Sequence, residues 1–172
     1  MSRGMYYGHS SNDVPTGAVS VVRDNNVGVS ALGSCVAVIA LDPATKIGGI
    51  AHIMLPGVAP PKAEQPTRYA CDGIRKLLDD SRRLGGKNEA LTICLVGGGN
   101  VLERDDDTTC AANIESILQL LEHEGLTAQA TRLGGRVRRS CLLDAAAGRV
   151  TYTEGDSERR LLWEACSLEE AP

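Results

Sequence analysis

Two side chains in this sequence have the chemistry of a nucleophile and its base. Cys35 follows a Gly-Ser pair and begins an apolar run, and His52 lies seventeen residues further on among apolar residues. A cysteine thiolate attacks carbonyl carbons, and an imidazole can take the thiol proton and later protonate the leaving group. Gly33 permits a tight turn and Ser34 is small, so the thiol can emerge beside backbone N–H groups that would hold an oxyanion. The pair predicts hydrolytic or acyl-transfer chemistry at Cys35.

Both residues also have a structural interpretation. A cysteine in an apolar segment is often a small core residue, and a histidine there is often a hydrogen-bonded core group. His9 lies in a polar segment and His123 on the polar side of a predicted helix, so His52 is the base if there is one. No Cys-x-x-Cys pair occurs, and we predict neither a metal site nor a cofactor. The run at 97–100, Gly-Gly-Gly-Asn, lacks the lysine of a phosphate-binding loop and is predicted to be a tight turn near the active centre.

Composition narrows the class of protein. The 172 residues fit one domain, and the net charge of −4, with dispersed Lys and Arg, gives no footprint for nucleic acid or an acidic membrane surface. The six cysteines show no short repeating spacing, and the N-terminus has no long apolar core, so we expect a cytoplasmic protein with reduced thiols. No stretch is long enough to span a membrane, so we expect no direct membrane insertion.

Strands and helices are predicted to alternate, which is typical of the α/β class. Strands are expected over residues 18–23, 27–32, 36–41, 46–55, 91–96, 141–143 and 149–153, and helices over 67–84, capped by Thr67, and 110–124. The run 36–41 is also compatible with the start of a buried helix, because it is wholly apolar and its periodicity does not distinguish a strand from a helix. Residues 1–16 are predicted to be a flexible arm, 17–153 the domain, and 154–172 a charged tail with one apolar cluster at 161–163.

Several segments between roughly residues 18 and 153 stand in the order found in one family. They are Leu32-Gly33-Ser34-Cys35-Val36-Ala37-Val38, Asp42-Pro43, Gly48-Gly49-Ile50-Ala51-His52-Ile53-Met54-Leu55-Pro56, Arg68-Tyr69-Ala70-Cys71-Asp72, Val96-Gly97-Gly98-Gly99-Asn100-Val101, Ala112-Asn113-Ile114 and Leu133-Gly134-Gly135. With them the chain closely resembles the chemoreceptor glutamine deamidases, CheD, of bacterial chemotaxis.

The resemblance implies a fold, an activity and partners. The family packs two mixed β-sheets between helices, an α/β/β/α sandwich shared with the deamidating domain of cytotoxic necrotizing toxins. It implies a cysteine hydrolase that converts glutamines on the cytoplasmic helices of methyl-accepting chemoreceptors to glutamate, with Cys35 as nucleophile and His52 as general base. The same acyl chemistry through a thioester could accept a glutamate methyl ester. Some members bind the phosphatase CheC.

The chain departs from the family pattern in two places. Members usually have a threonine five or six residues before the cysteine, where this chain has Ser30 and Val29. Ser30 is the expected third site residue, because its hydroxyl can orient the imidazole. After Gly134-Gly135 a Gly-Arg-Lys type segment is replaced by residues 136–140. The alternative functions are a binding module that docks on CheC or receptors without turnover, and an amidase acting on a small molecule.

Overall fold

The computed structural model describes residues 12–166. In this range nine strands form two stacked sheets, and two α-helices complete the fold. The strands are β1 Val19–Arg23, β2 Asn26–Leu32, β3 Val36–Asp42, β4 Ile47–Ile53, β5 Thr92–Gly97, β6 Ala128–Leu133, β7 Arg139–Asp144, β8 Arg149–Glu154 and β9 Arg160–Glu164. The helices are α1 Ala70–Leu84 and α2 Thr109–His123. None of the helices in this described range is long and apolar enough to cross a membrane.

The five-stranded sheet has the order β1-β4-β3-β5-β6 and is antiparallel except for the parallel pair β5–β6. The four-stranded sheet has the order β2-β7-β8-β9 and is antiparallel throughout. One sheet is therefore mixed and the other is not. The predicted α/β class with two packed sheets is confirmed.

The central strand β3 is buried on both faces, because the four-stranded sheet covers one face and the two α-helices cover the other. Alternate side chains from Ala37 to Leu41 face the four-stranded sheet, and those from Val36 to Ala40 face α1 and α2. Within residues 12–166 both helices pack on the five-stranded sheet, so the described chain forms three layers, helix, sheet and sheet. The second helix layer that the resemblance implies is not found in this range.

The β3–β4 hairpin is the element that matters most for the site. Its register pairs Val36 with Ile53 and Asp42 with Ile47. Gly49 is required in β4, because a Cβ there would lie 2.5 Å from the carbonyl oxygen of Ser20 in β1. The close backbone approach predicted from the glycine pair in this strand is confirmed.

Three features differ from the sequence prediction. β6 and β9 were not expected, and α1 begins at Ala70 with no side-chain cap. The expected cap, Thr67, lies in a short 3-10 turn, and its hydroxyl donates to the Gly17 carbonyl at 2.6 Å instead. Thr67 therefore ties the segment before β1 to the start of the helix.

The predicted arm and tail are partly built into the domain. Val14 is buried, its N–H donates to the Gly28 carbonyl at 2.8 Å, and Gly28 donates in return to the Asn12 carbonyl. Residues 12–14 therefore lie along β2, while residues 1–11 of the predicted arm fall outside the described residues. At the other end, Leu162 and Trp163 of β9 pack against the core between the sheets, so ordered structure continues well past residue 154.

Candidate active site

The β3–β4 hairpin brings Cys35 and His52 to the same end of the five-stranded sheet. Cys35 directly precedes β3, and His52 pairs with Ala37, so the two residues are diagonal neighbours across the strands. Such neighbours have Cα atoms about 7–8 Å apart. Cys35 packs against the core between the sheets. His52 lies two residues after Ile50 on β4, so it is on the same face of the sheet as Ile50, which is part of that core. The seventeen-residue spacing is thus the length of a hairpin that returns the imidazole to the thiol.

The turn before Cys35 is held by the glycine run at 97–99. Gly98 donates its N–H to the Cys35 carbonyl at 2.8 Å, and Gly99 donates to the Gly33 carbonyl at 2.9 Å. Gly97 has a φ of 122°, and a Cβ there would lie 2.3 Å from the Cys35 carbonyl oxygen. The run is a tight turn against the Cys35 segment, in the place the sequence predicts, and only glycine fits at its first position.

The backbone around Cys35 leaves donors unused. Among the described residues, the N–H groups of Ser34 and Cys35 make no backbone hydrogen bond. The Gly33 and Cys35 carbonyls each accept a backbone N–H, and the Ser34 carbonyl accepts the side-chain amide of Asn113 in α2. Backbone N–H groups beside a nucleophile are the usual donors to the oxyanion of a tetrahedral intermediate. The turn is therefore able to supply such donors.

His52 is buried and has a defined tautomer. Its Nδ1 lies 3.0 Å from the Val14 carbonyl oxygen. Because a carbonyl only accepts, Nδ1 carries the proton, and the lone pair is on Nε2. Nε2 is buried and has no hydrogen-bond partner among the described residues. Burial lowers the pKa of His52, partly offset by the Val14 bond and nearby Asp13. At neutral pH the imidazole is a neutral base with Nε2 free.

Cys35 is half-buried, and burial raises the pKa of its thiol, with a smaller contribution from nearby Cys110. At neutral pH the resting pair is therefore a thiol and a neutral imidazole. A neutral imidazole is able to accept the proton of a thiol while the sulfur attacks a carbonyl carbon.

No hydrogen bond joins Ser30 to His52 among the described residues. Its N–H and its hydroxyl both donate to Asp13 Oδ1, at 2.8 and 2.6 Å. A hydroxyl has one proton to donate, so Ser30 cannot also donate to the ring. The structure places Cys35 and His52 at the same end of the five-stranded sheet and Ser30 at Asp13. The Val14 carbonyl takes the orienting position expected of Ser30.

Sequence reasoning missed two contributors to the site. The Val14 carbonyl has no sequence signal, because any residue type can supply it. Asn113 does have a sequence signal, because it is a polar residue on the face of α2 that also contains the buried residues Cys110, Ile117 and Leu121. Its side-chain amide donates to a carbonyl in the turn before Cys35 and to a carbonyl after His52.

The remaining cysteines have other surroundings. Cys94 and Cys141 are buried in the core between the sheets, and burial raises the pKa of each to about 12. Cys71 and Cys110 lie on α1 and α2, and Cys166 is exposed beyond β9. Within residues 12–166 no group of three or more His, Cys, Asp or Glu side chains could hold a metal ion.

The fold and the paired residues define an α/β sandwich protein with a cysteine and a histidine at one end of a central hairpin. The family model of CheD, described as chemotactic sensory transduction, matches residues 54–154. The "Probable chemoreceptor glutamine deamidase CheD" of Chlorobium luteolum is 38% identical over 151 residues, which cover 87% of this chain and 75% of that protein. The "Chemoreceptor glutamine deamidase CheD" of Thermotoga maritima is 32% identical over 135 residues, 78% of this chain and 85% of that protein. The chain belongs to the CheD family.

Proposed function

We propose that this protein is a chemoreceptor glutamine deamidase with Cys35 as nucleophile and His52 as general base and acid. The observation that carries the proposal is the orientation of His52. The bond from Nδ1 to Val14 leaves Nε2 free as the basic nitrogen, on the strand next to the Cys35 turn. The names of the CheD relatives supply the substrate class, a glutamine side chain of a chemoreceptor.

In the first half-reaction the Cys35 sulfur attacks the carbonyl carbon of the glutamine side chain while its proton passes to His52 Nε2. The Ser34 and Cys35 N–H groups hold the oxyanion of the tetrahedral intermediate. The carbon–nitrogen bond then breaks, and the nitrogen takes the proton from Nε2 and leaves as ammonia. The product is a thioester between the receptor side chain and Cys35.

In the second half-reaction water attacks the thioester. His52 Nε2 removes a proton from the water, the carbon–sulfur bond breaks, and the proton returns to the Cys35 sulfur. The receptor side chain leaves as glutamate and the enzyme regains its resting thiol. A glutamate methyl ester can enter the same sequence with methanol as leaving group, which makes methylesterase activity a side reaction.

Each turnover adds one negative charge to a cytoplasmic helix of the receptor. Like charges on neighbouring helices repel, so the modification shifts the balance between signalling states. We place the reaction in the cytoplasm, where these helices lie and where the Cys35 thiol stays reduced.

The test is a mass measurement on a receptor cytoplasmic fragment incubated with the wild type, with Cys35→Ala, or with Cys71→Ala as a matched control. Replacing an amide NH2 by OH adds about one dalton at the modified glutamine, the net result of amide hydrolysis through the thiol. We expect this gain with the wild type and Cys71→Ala and none with Cys35→Ala. An unchanged fragment mass with the wild type would exclude deamidation, and a gain that survives Cys35→Ala would exclude Cys35 as nucleophile.

A second candidate function is a binding module that docks on a receptor or on the phosphatase CheC without turnover. Two observations favour it: burial raises the pKa of Cys35, and the Ser30 hydroxyl is directed to Asp13 rather than to His52. Co-sedimentation of the wild type with the receptor fragment or CheC, with no mass change in the fragment, would favour this candidate.

A further inference from the structure

Asn113 is a polar residue with no solvent exposure on the face of α2 that packs against the sheet. The other buried residues of this face are Cys110, Ile117, Leu120 and Leu121. Moving an amide from water into an apolar environment is costly unless its hydrogen bonds are replaced. The contacts of Asn113 therefore decide what the residue does.

The Asn113 amide joins the two chain segments that carry the reactive pair. Its Nδ2 donates to the Ser34 carbonyl at 3.0 Å and to the Met54 carbonyl at 3.0 Å. Both partners are carbonyls, which only accept, so the orientation of the amide is fixed and both of its protons are used. Ser34 immediately precedes Cys35, and Met54 lies two residues after His52.

These two carbonyls lie just beyond the point where the β3–β4 ladder ends. The last pair is Val36 with Ile53, so no ladder pairing extends to Ser34 or Met54. The amide bridges the strands at the place where their own pairing stops. Cys35 therefore lies between Val36, which is paired in the ladder, and Ser34, whose carbonyl is hydrogen-bonded to Asn113.

We propose that Asn113 is a positioning residue that fixes the Cys35 turn relative to the end of β4 and so sets the separation of the thiol and the imidazole. The inference rests on the proposed function and deepens it. Asn113 does not donate to the oxyanion, since both amide protons are committed. Its Oδ1 is buried without a partner among the described residues, so the amide is held by its donor side alone.

The first test compares Asn113→Leu with Asn88→Leu. Leucine has the branched shape and the neutrality of asparagine and suits the apolar face of α2, but it removes both donors. Asn88 is the matched control because its Oδ1 is the other buried asparagine oxygen without a described partner, and it lies before β5, at the opposite end of that strand from Gly97. On the receptor fragment we expect Asn113→Leu to lower kcat about 10²-fold with little change in KM, as misplacement of a reacting group does. Asn88→Leu should leave both constants unchanged.

The second test separates positioning from general damage. If Asn113 acts through the pair, Asn113→Leu should cost little further kcat in a His52→Ala background, whereas independent effects would add. Asn113→Gln keeps the donors and should retain more kcat than Asn113→Leu. Additive losses, wild-type kcat in Asn113→Leu, or failure of both Asn113 variants to fold would each overturn the proposal.

A readout without substrate keeps this inference distinct from the proposed function. The rate of Cys35 alkylation, followed by peptide mass against pH, reports the thiol directly. We expect the profile of Asn113→Leu to approach that of His52→Ala, while Asn88→Leu follows the wild type. If the wild type leaves the receptor fragment unmodified, the deamidase proposal fails but this profile still decides the role of Asn113, and a wild-type profile in Asn113→Leu would contradict it.

Discussion

The two ends of the β3–β4 hairpin differ in how completely their buried polar groups are hydrogen-bonded. At the turn end, the Asp42 carboxylate is buried and accepts N–H bonds from Ala44, Thr45 and Lys87 at 3.1, 3.4 and 3.2 Å. At the other end, His52 Nε2 and Asn113 Oδ1 are buried without partners among the described residues. The turn end therefore has a buried carboxylate with three N–H donors, whereas the Cys35 end has two buried polar atoms, His52 Nε2 and Asn113 Oδ1, without a partner in the described part of the chain.

Buried polar groups are nearly always paired in folded proteins, because an unpaired one costs free energy. The turn end follows this rule and closes the hairpin. The Cys35 end departs from it at His52 Nε2, and an unpartnered imidazole nitrogen is what the proposed general base needs. An open group alone does not mark a site, since Asn88 Oδ1 is also unpartnered, away from Cys35. What distinguishes the Cys35 end, within residues 12–166, is the combination of an unpartnered imidazole nitrogen, a thiol and two backbone N–H groups without a backbone hydrogen bond.

The largest effect should come from the reactive pair. We expect Cys35→Ala to lower deamidation of the receptor fragment at least ~10⁴-fold and His52→Ala to lower it about 10²- to 10⁴-fold. The free energy of unfolding of Cys35→Ala, measured in urea, should stay within about 1 kcal/mol of the wild type, because the side chain is small and half-buried. If Cys35→Ala lowered the free energy of unfolding by as much as the lost activity corresponds to, the Cys35 end would be a structural end like the turn end.

Gly97→Ala should damage the Cys35 end through its backbone. The added Cβ would meet the Cys35 carbonyl oxygen at 2.3 Å, so the turn must move and carry the thiol with it. We expect kcat to fall about 10²-fold. Gly125→Ala is the matched control, since Gly125 has a φ of 71° with nothing within 4 Å of a Cβ. Equal kcat in the two variants would show that the contact with Cys35 is unimportant.

Asp42→Ala should have the reverse profile of Cys35→Ala. It removes the acceptor of three backbone N–H groups at the turn end, and we expect a loss of about 1–3 kcal/mol in the free energy of unfolding. At a temperature where the variant is folded, kcat should match the wild type. A lower kcat in folded Asp42→Ala would mean that the two ends are coupled through the hairpin.

The lowered pKa of His52 predicts how stability depends on pH. The unfolded histidine titrates near its ordinary value of about 6.5, while the folded one resists protonation. Below that pH the unfolded chain binds more protons than the folded chain, so stability should fall on acidification, by at most about 1.4 kcal/mol per pH unit from this group. Urea unfolding between pH 5 and 8 should show this slope in the wild type and a smaller one in His52→Gln. Parallel slopes would place the acid sensitivity elsewhere.

The smallest effect is expected from Ser30→Ala. Ser30 is exposed and bonds Asp13, not the imidazole, so the change should alter kcat by no more than about threefold, as for most surface substitutions. A much larger loss would show that Ser30 reaches His52 during turnover and would restore it as the third site residue.

The parts of the fold that were predictable are those set by local pattern. The apolar run before Asp42, the glycine pair in β4 and the apolar stripes of the two helices predict the elements that carry Cys35 and His52. β6 is not predictable in this way, because Ala128–Leu133 lies at a sheet edge and half its side chains are exposed. β9 is not predictable either, because it is charged at both ends and, among the described strands, pairs with β8 alone.

The sequence indicates candidate side chains for the site, and it does not indicate the backbone groups around them. Cys35 and His52 follow from residue type and spacing. The orienting acceptor of His52 is a carbonyl of Val14, within a segment whose polar composition predicts mobility, and no residue type reports a carbonyl. Ser30 was expected there because a hydroxyl is visible in a sequence, whereas its bond to Asp13 depends on how residues 12–14 lie along β2.

The central claim is that Cys35 and His52 act as one unit, and the Cys35 alkylation rate against pH tests it most directly. Peptide mass spectrometry isolates Cys35 from the other five cysteines. In the wild type we expect alkylation near neutral pH that disappears on acidification as His52 takes up a proton. In His52→Ala the rate should rise only as the thiol itself ionises, above its ordinary pKa of 9.0. Profiles that superimpose in the two proteins would contradict the account.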